Sequence, residues 1–172
     1  GSGIDREYPA FLVKQIVRGV QLAHERLQPA KVGFTVVQDR EHTHCRRWLT
    51  RPDRVGGDPF GQPTVRAMMH PGYQNGKYVG PAGPVDYGLS VLAIQSADGE
   101  PLAVLANYSM HYFGSPLVSA DYFGRFCEKL ATKIAASTEG ENQSRAFVAI
   151  MSQGTSGDLH WMDYSKPKQE GY

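Results

Sequence analysis

The feature that most constrains the fold is an apolar run, Leu102–Ala106, which leads into a polar segment and then into a helix signal. An uninterrupted apolar run of this length is typical of a strand that is buried on both faces in the middle of a sheet. Asn107, Ser109 and His111 follow where the run ends, and Ser119 opens the pattern of a helix. This order places polar side chains at the carboxyl edge of a sheet, where α/β proteins build their sites. We therefore predict that His111 binds a metal or acts as an acid or base.

The overall composition describes a globular chain and excludes several functional classes. The 172 residues, 41% of them hydrophobic, suit a single α/β domain, or part of one, over residues 1–172. A net charge of +1 gives no reason to expect nucleic acid as a partner. No apolar run is long enough to span a bilayer, no signal peptide is visible, and residues 1–3 read as a cloning remnant. Cys45 and Cys127 are too few for a disulfide framework and are either two free thiols or one bridge.

Hydrophobic spacing elsewhere predicts an α/β fold, in which a mixed β-sheet has flanking helices. Apolar residues at three-and-four spacing predict a helix over 8–28, and a second helix is expected over 119–137. Asp98-Gly99 lies between two apolar runs and predicts a hairpin, because Gly accepts the positive φ of such a turn. The predicted strands are 31–38, 88–96, 102–109 and 146–151.

Two stretches of the chain show no hydrophobic period. Residues 51–86 are rich in Gly and Pro, and we predict an ordered excursion that lines a cleft or covers a neighbour, with His70 as a structural residue. Residues 162–172 are predicted to form a polar tail.

The predicted strand at 146–151 also ends in a polar loop, which contains Asp158 and His160. If this strand lies parallel to the one that precedes His111, the two loops meet at one edge of the sheet. The small residues 154–157 offer backbone N–H groups to an oxyanion, but the loop lacks the lysine and the spacing of a P-loop. Asp158 is read either as a site residue or as a turn residue that follows a glycine.

The segment after the first predicted strand holds further candidates. Arg46 and Arg47 stand beside Trp48 and either clamp a carboxylate or phosphate through the planar guanidinium group or are ordinary surface arginines. His42 and His44 share one side of an extended chain, and such a pair can chelate zinc. The alternative for this pair is a loop that is solvated or faces a substrate.

An ordered set of segments in this chain resembles a known family. The segments are AHERLQP at 23–29, the Arg46 region, NYSMH at 107–111, SADYFG at 119–124 and the stretch 147–158. In this order, over about residues 8–160, they resemble the neutral (non-lysosomal) ceramidase family. The resemblance implies an α/β catalytic domain that holds zinc and cleaves the amide of an N-acyl sphingosine or a related bond.

The resemblance also implies roles for individual residues. His111 matches a zinc ligand, and Arg46, with Arg47 beside it, matches an arginine that contacts substrate. Asp158 and His160 fall in the family's Gly-Asp-x-Ser segment and are expected to be catalytic, with His160 standing where the family has its serine. The family's asparagine before the arginine is Cys45 here. The family's other zinc ligands lie before the region of residue 8 and after Asp158, so zinc binding by this chain alone is expected to be weak or absent.

The leading hypothesis is therefore a piece of a zinc-dependent hydrolase whose substrate is a lipid amide or small-molecule amide. Its expected partner is the remainder of the catalytic domain, its expected location is secreted or periplasmic, and the isolated chain is expected to be inactive. The alternative is a non-catalytic binding domain that keeps the scaffold without the serine. Imidazoles of His111 and His160 that converge would favour the hydrolase, whereas His160 buried against Trp161 would favour the binding domain.

Overall fold

The computed structural model describes residues 5–137 and 147–168, and its centre is a four-stranded sheet. The predicted cloning remnant, Ala146 and the last residues of the predicted tail, 169–172, lie outside the described residues. The elements in chain order are α1 (Tyr8–Glu25), β1 (Ala30–Gln38), β2 (His44–Cys45), β3 (Arg47–Thr50), a short 3₁₀ helix (Pro52–Arg54), β4 (Ala67–Met69), β5 (Tyr78–Pro81), β6 (Gly88–Ser96), β7 (Pro101–Tyr108), α2 (Asp121–Ser137), β8 (Val148–Gln153) and β9 (Leu159–His160).

The main sheet has the strand order β1-β6-β7-β8, so β7 lies inside it, as the apolar run predicts. β1 pairs with β6 and β6 with β7 in antiparallel fashion, whereas β7 and β8 run parallel. The predicted hairpin joins β6 and β7, and Gly99 adopts a φ of 96° in its turn. The mixed sheet and the two helices, of which α2 packs against the sheet, confirm the predicted α/β class.

Two smaller sheets extend from the main one. β3 pairs with β4 on one side and with β5 on the other, so the Gly- and Pro-rich stretch 51–86 supplies two strands of a three-stranded sheet. β2 and β9 form a separate two-residue antiparallel ladder in which His44 lies opposite His160. These two sheets place residues from three distant parts of the sequence beside the end of β7.

Burial is concentrated on one face of the main sheet. Ala106 and Tyr108 of β7 are buried there, and the Tyr108 ring lies 6.4 Å from the ring of Tyr122 in α2, at 89°. On the opposite face Leu105 is 43% exposed and Ile150 is 52% exposed. The prediction that the β7 run is buried on both faces is therefore wrong for this open face, because α2 packs on the other side.

Helix α1 and strand β1 also present apolar surface. α1 contains no buried residue, and Phe34 in β1 is 68% exposed. Both cysteines are free thiols, Cys45 buried and Cys127 partly buried. Within residues 5–137 and 147–168, no helix combines the length and the apolar character that crossing a membrane requires.

Candidate active site

The carboxyl ends of β7 and β8 are joined by a small polar network. Ser109 follows β7, and its hydroxyl donates to Asp86 Oδ2 at 2.6 Å and accepts from the Thr155 backbone N–H at 3.2 Å. The Gly154 N–H donates to the Tyr108 carbonyl at 2.8 Å. A β-carbon at Gly154 would overlap the Ser109 hydroxyl, so only glycine lets the two loops approach this closely. The parallel pair therefore brings the two polar loops together, as predicted.

Three histidines from different parts of the chain meet beside these loops. His111 follows β7 and His160 lies in β9, and their ring centroids are 6.2 Å apart with 32° between the planes. His70, just after β4, places its ring 5.3 Å from that of His160 and perpendicular to it. No local sequence pattern predicts that His70 belongs to this cluster, because His70 lies in a stretch without hydrophobic period. The pairing of β4 with β3 brings His70 to the other two histidines.

Backbone hydrogen bonds give two of these imidazoles opposite characters. His111 Nδ1 lies 3.2 Å from the Tyr112 carbonyl, which can only accept, so Nδ1 carries the proton and Nε2 keeps a lone pair. His160 Nδ1 accepts the Met162 backbone N–H at 3.2 Å, so in the neutral ring the proton is on Nε2. The site thus offers one imidazole that accepts a proton or binds a cation and one that donates a hydrogen bond.

Burial and neighbouring positive groups favour the neutral forms of two of these histidines, His160 and His70. Burial, followed by the proximity of His70, Arg46 and His111, lowers the pKa of His160 to about 4. Burial, followed by Arg46 and His111, also lowers the pKa of His70. His160 is therefore neutral at pH 7 and donates from Nε2. This agrees with the hydrogen bond that its Nδ1 accepts from the Met162 N–H.

Arg46 anchors the loop that carries the predicted catalytic residues. Its backbone N–H donates to the Asp158 carbonyl at 2.8 Å, and its guanidinium donates to the Gly157 carbonyl from Nη2 at 2.8 Å and from Nε at 3.2 Å. Asp158 contributes its backbone to this contact, and its carboxylate lies near Gly83. Arg47 is exposed and, within β3, its carbonyl accepts from Ala82. The structure thus brings Arg46, Asp158 and His160 together and leaves Arg47 at the surface.

The His42 and His44 side chains bind groups within their own loop. His42 Nδ1 lies 3.0 Å from both carboxylate oxygens of Asp39, and His44 Nε2 donates to the Glu41 carbonyl at 2.9 Å. Both imidazoles therefore have local partners, which accounts for their orientation without a metal.

Zinc is the cofactor that the family resemblance implies, and the described residues do not fit a complete zinc site. In residues 5–137 and 147–168, no group of three or more His, Cys, Asp or Glu side chains is arranged to hold a metal ion. A catalytic zinc needs about three protein ligands and a water. Of the two imidazoles that were expected to lie in the site, His111 presents an Nε2 lone pair, whereas His160 Nε2 carries its proton.

An aromatic cleft opens beside the histidine cluster. Phe113 and Trp161 stack with ring centroids 5.1 Å apart, and the Trp161 ring lies 5.2 Å from that of His160. Tyr122 and Phe126 from α2 complete the apolar lining of a cleft of about 1620 Å³. Asp121, Arg125, Lys129 and Lys168 also line the cleft, so it combines an aromatic wall with charged groups.

Known structures share this architecture, although no protein-family model and no curated protein matches the chain. The crystal structure of neutral ceramidase from Pseudomonas aeruginosa superposes with a TM-score of 0.52 and 20% identity, over 86% of this chain and 20% of that one. A ceramidase complexed with C2 gives a TM-score of 0.52 and 20% identity, over 87% and 19%. The chain spans about a fifth of the length of these structures. The predicted ceramidase-like architecture is confirmed, and the chain has the fold of part of a neutral ceramidase.

Proposed function

We propose that this chain is the part of a ceramidase-type hydrolase that contributes His111, His160 and Arg46 to cleavage of an N-acyl sphingosine-like amide. The observation that carries the proposal is the meeting of His111 and His160, with ring centroids 6.2 Å apart, beside an aromatic cleft on a ceramidase fold. The fold alone would not suffice, because one fold hosts many functions.

The two imidazoles have complementary roles in this proposal. His160 Nε2–H is the group that donates to the carbonyl oxygen as it gains negative charge, a role that a neutral, preorganised donor performs well. His111 Nε2 supplies a lone pair, which serves as a base or, when the rest of a metal site is present, as a zinc ligand. Zinc binding at His111 stays a prediction from the resemblance, and the roles proposed for the other residues do not depend on it.

The other predicted site residues, Arg46, Asp158 and Arg47, have accessory roles in this proposal beside His111 and His160. Arg46 holds the Gly157–Asp158 backbone and lies close enough to affect the pKa of His160, so it fixes the donor loop and orients a polar group of the substrate. Asp158 acts through its backbone carbonyl in this arrangement. Arg47 is proposed as an outer contact for a substrate headgroup, since it is exposed at the surface.

The aromatic cleft supports a lipid rather than a small polar amide. Stacked Phe113 and Trp161 provide an apolar wall next to His160, where an acyl chain would lie with its amide at the histidines. A secreted or periplasmic location follows from the resemblance and stays a prediction. The expected partner is the remainder of a ceramidase-type catalytic domain.

A second candidate is a non-catalytic domain that binds the same class of lipid amide. The contact between His160 and Trp161 favours it, because their rings lie 5.2 Å apart at 33° and His160 is 7% exposed. A histidine packed this way can serve as part of a binding wall without taking part in bond cleavage.

One experiment separates the two candidates. A fluorescent N-acyl sphingosine is incubated with the protein as its gene encodes it, and with the variants His111→Ala, His160→Ala and His42→Ala as a control histidine outside the cluster. We expect hydrolysis in the parent and in His42→Ala and a loss of more than about 100-fold in the other two. Binding without hydrolysis in the parent would overturn the hydrolase and leave the binding domain.

A further inference from the structure

The loop between His111 and α2 carries an apolar tip, which consists of Leu117 and Val118. These two side chains are fully exposed, at 105% and 99%. Tyr112 and Phe113 in the same loop are 50% and 37% exposed. Apolar residues exposed singly are common at protein surfaces, but a group of adjacent ones marks a surface that contacts something else.

The backbone that carries the apolar tip is held in place. The Asp121 carboxylate accepts hydrogen bonds from the N–H groups of Phe113, Gly114 and Ser115 at 3.1–3.2 Å. Pro116 fixes the φ of the residue immediately before the tip. The two apolar side chains are therefore presented by an anchored loop.

The apolar tip stands at the rim of the aromatic cleft. Ser115 and Ser119, which flank the tip in sequence, line the cleft together with Phe113 and Trp161. An apolar molecule that enters the cleft on this side passes beside the tip.

Cationic side chains surround the same opening. Arg125 and Lys129 are one turn apart on α2, and both line the cleft, as does Lys168. Asp121 also lines it, but its carboxylate is bound by the N–H groups of the loop. Glu128 offsets one cation through its ion pair with Arg125 at 2.8 Å. Positive charge still exceeds negative charge here, and an anionic surface would complement it.

The surroundings of the apolar tip differ from the open face of the main sheet. One cross-strand row of that face consists of Phe34, Leu92, Leu105 and Ile150, none of which is charged. A purely apolar face is typical of a surface that other protein covers. Exposed apolar side chains flanked by lysine and arginine are typical of a surface that rests on a lipid interface.

We propose that the apolar tip and the cations around the cleft dock this protein on an anionic lipid bilayer. Leu117 and Val118 insert among the acyl chains, and Arg125, Lys129 and Lys168 lie at the headgroups. The proposal rests on the proposed function for its purpose, the delivery of a lipid amide to the cleft, but binding to a bilayer is measurable without any amide.

The test measures co-sedimentation of the protein, as its gene encodes it, with two kinds of vesicle that contain no amide substrate. One kind is phosphatidylcholine, and the other is an equal mixture of phosphatidylcholine and phosphatidylglycerol. The variants are Leu117→Ser combined with Val118→Ser, and Lys129→Gln. The matched controls are Phe60→Ser, which changes an 88% exposed ring outside the cleft lining, and Lys14→Gln in α1.

We expect the parent to bind the mixed vesicles more tightly than phosphatidylcholine, with an affinity that falls as salt is added. The double variant should lose about tenfold or more in affinity, because two apolar side chains no longer leave water. Lys129→Gln should lose about three- to fivefold, on the mixed vesicles alone. Both controls should bind like the parent, and the double variant should keep the thermal unfolding midpoint of the parent.

A double variant that binds like the parent would overturn the proposal, and a lowered unfolding midpoint in that variant would then identify protein as what covers the tip. A parent that binds neither kind of vesicle would overturn it as well. Cleavage of a soluble short-chain amide without vesicle binding would refute docking and leave the proposed function standing. Vesicle binding without cleavage of any amide would refute the proposed function and leave docking standing.

Discussion

Gly154 packs against Ser109 so closely that a β-carbon at Gly154 would overlap the serine hydroxyl, and it would stand 3.0 Å from Asn107 Oδ1. This contact sets the separation between the loop after β7 and the loop after β8, and with it the separation of His111 from His160.

Replacing this glycine should therefore cost stability. We expect Gly154→Ala to lower the free energy of unfolding by about 1–3 kcal/mol, because the neighbouring Ser109 backbone cannot move aside easily. Urea unfolding measures the change. Gly157→Ala is the matched control, since a β-carbon there meets nothing within 4 Å. Equal midpoints for the two variants would show that the loops separate at no cost.

Asp121 should hold the loop that follows His111. Its carboxylate accepts from the backbone N–H groups of Phe113, Gly114 and Ser115 at 3.1–3.2 Å. Burial opposes ionisation, but these hydrogen bonds prevail and lower the pKa of Asp121.

We expect Asp121→Ala to reduce the free energy of unfolding by about 1 kcal/mol, a value discounted for the partial exposure of the carboxylate. In the parent this contribution is present above the ordinary Asp pKa of 3.8 and is lost as the pH falls through the lowered value. Thermal unfolding of Asp121→Ala is compared with that of the control Glu128→Ala. Glu128 forms an ion pair with Arg125, and because the Arg125 side chain is 70% exposed, the loss of this pair should cost little. A larger loss in the control would contradict the assignment.

The buried histidine should make stability depend on pH. The pKa of His160 falls from 6.5 to about 4 on folding, chiefly because of burial, so the unfolded chain binds more protons than the folded one between these values. Stability is then full above pH 6.5 and declines as the pH falls towards 4. Denaturant titrations across this range should show the decline, and it should be smaller in His160→Gln. A free energy of unfolding that rises in the parent as the pH falls from 6.5 towards 4 would refute the prediction.

Zinc should not stay on this chain during extensive dialysis. Within residues 5–137 and 147–168, no group of three or more His, Cys, Asp or Glu side chains is arranged to hold a metal ion, and a single ligand such as His111 does not retain zinc. Elemental analysis of the dialysed 172-residue chain and of His111→Ala is expected to give the same substoichiometric zinc content. Stoichiometric zinc in the parent that His111→Ala abolishes would mean that the site is complete.

The open face of the sheet should bind hydrophobic probes. Phe34, Val32 and Val36 alternate along β1 and are 68%, 64% and 45% exposed. We expect Phe34→Lys to lower the fluorescence of a bound apolar dye and to change the free energy of unfolding by less than about 0.5 kcal/mol. Thr35→Lys, on the other side of the same strand, is the control and should leave dye binding unchanged.

Local patterns in the sequence predicted most of the main sheet. The Asp98-Gly99 turn fixed the β6–β7 hairpin, since few other connections suit two apolar runs at that spacing. The α2 prediction was equally close because Ser119, whose hydroxyl accepts the Asp121 N–H at 3.0 Å, marks the start of the helix. The first helix ends at Glu25 rather than at residue 28, where the approach to Pro29 disfavours helical geometry.

The candidate site was only partly predictable for a physical reason. His111 follows β7 and Asp158 follows β8, so their placement depends on the parallel pairing that the apolar runs suggested, whereas the β2–β9 ladder also places His160. His70 and Tyr164 carry no such signal, because they meet through a hydrogen bond between two irregular segments. Residues 162–172 were predicted as a polar tail, and the buried ring of Tyr164 in that stretch was not foreseen.

The two-residue ladder between β2 and β9 has a consequence for the order in which the protein folds. It closes a loop that spans most of the chain, from His44 to His160, and the burial of Cys45 and Leu159, which are 3% and 2% exposed, offsets the lost chain entropy. The β6–β7 hairpin forms from neighbouring residues and needs no such closure. The histidine cluster therefore depends on a contact between distant parts of the chain, and we expect it to assemble after the hairpin.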